Sequence, residues 1–99
     1  MTFESAPYDS AEFLEDDEAI AAYLEEAFAT NDPAFILKAL GTVARARSMS
    51  RLAEETGMSR TSLYKALSGE GRPEFATILK VARALGLDMT VKPHMPDAA

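Results

Sequence analysis

Between Ser50 and Gly69 the chain reads SRLAEETGMSRTSLYKALSG, and few folds accept that string. A positive φ is cheap only for glycine, so Gly57 marks a tight turn between two short helices. Ser50 is placed to cap the first helix, which runs through Leu52, Ala53 and Glu54 to about Thr56. Ser59 is placed to cap the second, accepting a bond from the free N–H of Thr61 or Ser62. Ala53 stands where the two helices cross closely, and a larger side chain would push them apart. Met58, Leu63, Ala66 and Leu67 pin the second helix to a core. This order of small residue, glycine and apolar positions is the spacing of a helix-turn-helix, here over about residues 50–68.

What faces inward dictates what faces outward. Arg60, Thr61, Ser62, Tyr64 and Lys65 cannot share the core with Leu63 and Leu67. They form a polar face on the N-terminal half of the second helix, the part that enters a major groove. Arg60 suits a guanine, Thr61 or Ser62 a base or a phosphate, and Tyr64 or Lys65 the sugar-phosphate backbone. The N-terminus of the second helix itself attracts a phosphate, and Ser50 and Ser59 are also candidate DNA contacts. Arg47, Arg51 and Arg72 flank the same region.

Helical spacing dominates the rest of the chain. A short amphipathic turn is expected at Ala11–Leu14, capped by Asp9 or Ser10. From about Asp17 to Ala29 the apolar residues Ile20, Leu24, Ala27 and Phe28 recur along one helical stripe, and Tyr23 reads as core. Asp32 and Pro33 open a second helix as N-cap and first residue. It runs to about Ala46 with Ile36, Leu37, Leu40 and Val43 inward, and Gly41 weakens it slightly. After the loop SGEGRP, a fifth helix opens near Glu74 and places Phe75, Ile78, Leu79, Ala82 and Leu85 on one face. Gly86 terminates it. Leu87–Val91 alternates apolar and polar residues, which predicts a short strand that Pro93 and Pro96 keep from extending. The expectation is one all-α domain of five helices with a short C-terminal strand. Its parts are an acidic arm over 1–16, the helical domain over 17–92 and a tail over 93–99.

The charge is polarised. Residues 1–32 hold ten acids and no Lys or Arg, while residues 33–99 hold ten basic residues against six acids, a balance of +4. The formal total of −6 therefore conceals an acidic arm and a basic face, and such asymmetry speaks more about partners than the sum does. With no cysteine, a disulfide framework and a thiolate metal site are excluded, and a reducing cytoplasm is the expected compartment. Nothing at the N-terminus reads as an export signal, and no apolar run approaches the ~20 residues that span a bilayer.

Catalysis finds little to work with. His94 is the lone histidine, sits between prolines in the tail, and cannot make a metal site without partners. The carboxylates of LEDDEAI lack the spacing of a calcium loop and read as a solvated helix start. No nucleophile–base set can be assembled. Neither a cofactor nor an enzyme is expected.

The segment from Tyr23 to Val91, and above all ETGMSRTSLYKALSGEGRPEF followed by LGL, resembles the probable addiction module antidote family. These are the HigA-like antitoxins of the Xre/Cro/C1-type helix-turn-helix superfamily. The resemblance runs from about Asp9 to Val91; the chain departs from the family's usual small residues at Arg72 and Glu74. It implies a lambda-repressor-like fold and a DNA-binding antitoxin of a type II toxin–antitoxin pair that represses its own operon. It also implies a small basic RelE/ParE-like toxin as partner. Complementary charge would draw such a toxin to Glu15, Asp16, Asp17 and Glu18. Specific sites of this class are usually read by dimers, so a palindromic operator on double-stranded DNA is expected. Leu87, Met89 and Val91, on one face of the expected strand, would pair two copies into a homodimer. The alternative is a protein-interaction module that keeps the fold without touching DNA.

Overall fold

The computed structural model describes residues 16–94; the expected turn at Ala11–Leu14, Glu15 and the end of the tail lie outside them. Among the described residues five helices follow one another: α1 (Asp17–Ala29), α2 (Pro33–Arg47), α3 (Met49–Thr56), α4 (Arg60–Ala66) and α5 (Phe75–Ala84). Asp16 starts α1 by accepting the Ala19 N–H at 2.7 Å, which satisfies one of the donors a helix start leaves open. Asn31 takes φ 57° in the turn to α2, a conformation its short polar side chain tolerates. Asp32 then accepts from the N–H groups of Ala34 and Phe35, with Pro33 in the first turn as its fixed φ favours. The stripe of Ile20, Leu24 and Ala27 is buried, with Tyr23 and Phe28 packed partly against the core.

The core joins all five helices. Ile20, Leu40, Val43, Leu63 and Val81 are its largest wholly enclosed side chains, each contributing on the order of 1.5–3 kcal/mol by leaving water. Gly41 proves to be more than a weak point in α2. A Cβ there would stand 2.9 Å from the Leu67 carbonyl oxygen, so glycine lets the end of α4 lie directly against α2.

The cap of α3 is Ser48, two residues earlier than the expected Ser50. Ser48 donates its N–H to the Ala44 carbonyl and accepts the Leu52 N–H on its own carbonyl. Its hydroxyl oxygen accepts the Arg51 N–H at 3.2 Å. One residue thus closes α2 and opens α3, and its φ of 155° makes the sharp corner between them. Ser50 falls inside the first turn, exposed. The other punctuation of this pair is as the sequence implied. Gly57 ends α3 at φ 76°, and Ser59 caps α4 by accepting the Ser62 N–H at 3.0 Å.

Two expectations at the C-terminal side are corrected. Phe75 is 69% exposed, although it shares the stripe of Ile78 and Ala82. Burial grows along α5 towards Val81, Ala82 and Leu85, so the first turn of the helix overhangs the core. Glu74 precedes that turn without a side-chain capping bond. The expected strand at Leu87–Val91 is not formed: residues 87–94 have no regular structure, and no strand occurs among the described residues. Among the described residues no neighbouring strand offers its backbone groups, and Leu87 is already used. Its N–H donates to the Ala82 carbonyl at 2.9 Å and the Gly86 N–H to the Arg83 carbonyl at 2.9 Å. With Gly86 at φ 84°, this is a Schellman closure of α5, and Leu87 is the apolar residue that such a closure lays on the core.

Candidate nucleic-acid interface and the acidic helix start

Helix α4 is held to the core by Leu63, with Leu67 buried at its end and Met58 and Ala66 packed partly beside it. Leu63 is wholly buried and is the buried residue of this seven-residue helix, so the residues on the faces away from it are turned outward. Arg60, Thr61, Ser62, Tyr64 and Lys65 are all exposed. The turn at Gly57 and Met58 sets α4 against α3. It is tied by Thr56, whose buried hydroxyl donates to the Leu52 carbonyl at 2.8 Å and accepts the Met58 N–H at 3.3 Å. Sequence reasoning passed over Thr56; its place immediately before the turn glycine is the signal that marks it.

Not every residue expected at this interface is equally available. Ser59 and Ser62 hold each other, with Oγ to Oγ at 3.0 Å, so capping already employs both hydroxyls. Arg51 donates from Nε to the Glu55 carboxylate at 3.2 Å, one turn along α3. Arg47 reaches 30 residues back to Asp17, with a guanidinium nitrogen 3.3 Å from the carboxylate. Arg60, Lys65 and Arg72 make no ion pair among the described residues. Of the cations expected at this interface, those most available to an outside anion are therefore Arg60, Lys65 and Arg72.

At the acidic start of α1, Asp16 is employed as the N-cap, Asp17 holds Arg47 and Glu18 is exposed. A shallow cleft runs from Asp17 and Arg47 past Arg51 and Glu55 to Leu85. Of the three residues expected to pair two copies, Leu87 packs partly on the core, Met89 is 41% exposed and Val91 98%. No group of three His, Asp or Glu side chains among the described residues converges as a metal site would require. No helix among them is long and apolar enough to cross a membrane.

Five helices around one core, two of them short and joined by a glycine turn that turns a polar, basic face outward, define the class of chain. A model of the probable addiction module antidote family matches residues 4–93, and the chain belongs to that family. It is also 48% identical over 92 residues to an uncharacterized protein of Haemophilus influenzae, covering 93% of this chain and 95% of that one. No solved structure matches. An antidote implies a toxin as its counterpart.

Proposed function

We propose that this antidote is a DNA-binding repressor of its own operon, HigA-like, which also neutralises a small basic RelE/ParE-like toxin in the cytoplasm. In this reading α3 and α4 are the helix-turn-helix and α4 enters the major groove of a palindromic operator, one recognition helix from each copy of a homodimer. The observation that carries it is the outward face of α4. Arg60, Thr61, Tyr64 and Lys65 stand exposed around a single buried leucine, and no acidic residue interrupts the helix. Arg60 is the residue assigned to a base edge. Tyr64, Lys65 and Arg72 are assigned to the backbone, and Ser50 and Thr61 are accessible to either.

A mobility shift on the DNA upstream of the coding sequence, at two salt concentrations, tests the reading. Specific binding that weakens steeply with salt is expected, because phosphate contacts release counterions. Arg60→Ala should cost on the order of 1–3 kcal/mol and relax the preferred site. An equal loss on specific and random duplexes would reassign Arg60 to phosphate. Absence of any shift would leave the protein-interaction module as the function of this fold.

A further inference from the structure

The Asp17–Arg47 pair joins the two charge territories of the molecule. Asp17 opens α1 and Arg47 is the last residue of α2, with Ser48 alone between Arg47 and the start of α3. Among the described residues it is the one ion pair that bridges two helices; the other lies within α3. Each charge occupies the helix end that its sign prefers, so the contact forms without distorting either helix. Both side chains stay within reach of an outside ion, Arg47 at 39% and Asp17 at 74% exposure. A carboxylate and a phosphate make the same demand on a guanidinium. Asp17 therefore meets on Arg47 the demand that a phosphate oxygen could meet.

We propose that Asp17 is an intramolecular competitor for phosphate at Arg47, an autoinhibitory contact by which the start of the acidic helix restrains DNA binding. The inference rests on the DNA-binding reading above for its ligand, but the withholding of Arg47 from polyanions stands apart from which polyanion is bound. The exchange swaps one ion pair for another: Asp17 returns to water as a phosphate oxygen takes the guanidinium and releases a counterion. Because the pair is exposed, the restraint is modest, about two- to fivefold in affinity. General repulsion between Asp17 and DNA would not depend on Arg47, and that difference makes the contact testable.

The experiment compares the full chain with Asp17→Asn, Arg47→Gln and the double variant, each checked for folding by thermal denaturation. Elution from heparin and mobility shifts on upstream and random duplexes are measured over a salt series. Asp17→Asn should elute later from heparin and bind DNA about two- to fivefold more tightly at low salt, with a salt slope steeper by about one. In the Arg47→Gln background the same change should bring no gain. An equal gain in both backgrounds would mean that Asp17 acts as a general negative charge, and would overturn the proposal, as would no gain in either. A heparin shift that depends on Arg47, with no variant binding either duplex, would keep the contact and reject the DNA-binding reading.

Discussion

An added Cβ at Gly57 would meet nothing within 4 Å, yet φ there is 76°, whereas at Gly41 the backbone is helical and the obstacle is the Leu67 carbonyl at 2.9 Å. The two glycines therefore answer different demands, and alanine at each should fail differently. Gly57→Ala should cost about 1–2 kcal/mol through the left-handed backbone alone. Gly41→Ala should cost a comparable 1–3 kcal/mol by overpacking, despite the better helix propensity of alanine. It should also move the α4 backbone, visible as amide shifts at Leu67 and its neighbours in NMR spectra, which Gly57→Ala should leave near their places. Ser48 offers a third test at this scale. Ser48→Ala loses the bond to the Arg51 N–H and should cost about 1 kcal/mol, while Ser48→Gly should cost only a few tenths. Urea unfolding midpoints order the three; a neutral Ser48→Ala would return the cap to another residue.

Helix α4 is too short to persist without its neighbours, and Leu63 is the buried side chain within it. Leu63→Ala should cost about 2–5 kcal/mol and release the outward face from its fixed orientation, so operator binding should fall further than the folded fraction does. Circular dichroism with parallel mobility shifts separates the two losses. At the other end, the closure of α5 by Gly86 and Leu87 determines where the chain can be cut. Removal of Met89–Ala99 spares that closure and should leave a folded protein, monomeric if the exposed Met89 and Val91 pair two copies. Sedimentation of the truncated chain as a dimer would place self-association elsewhere. Loss of Leu87 as well should destabilise α5 itself, since the 2.9 Å bond to Ala82 goes with it.

For the molecule as a whole the polarity of charge is the governing quantity. Ten acids and no base over residues 1–32 repel DNA and attract a cationic partner, mainly through the rate of encounter. Glu15→Gln and Glu18→Gln together keep Asp16 as the cap of α1 and Asp17 on Arg47. They should slow capture of the toxin at low ionic strength and change it little at high salt, as followed by stopped-flow fluorescence. Equal association rates at low salt would leave those acids as a solvated face and no more.

Helix count, the caps at Asp32 and Ser59, the left-handed turn at Gly57 and the outward set on α4 are all legible in the sequence, because each follows from local backbone preference or from a side chain's distaste for the core. The family resemblance was legible on the same residues. Four features were decided by tertiary structure. Phe75 has the right spacing for burial but lies where α5 overhangs the core, and periodicity cannot say where a core stops. Leu87–Val91 has the alternation of a strand, yet strand pairing needs a neighbour, and the closure of α5 claimed Leu87 first. Gly41 reads as a weak helix residue until another segment's carbonyl is set 2.9 Å from its missing Cβ. Arg47 and Asp17, 30 residues apart, read as belonging to opposite partners until the hairpin of α1 and α2 brings their charges together. Charge sign and helical phase are written locally; which charges meet depends on how the helices pack.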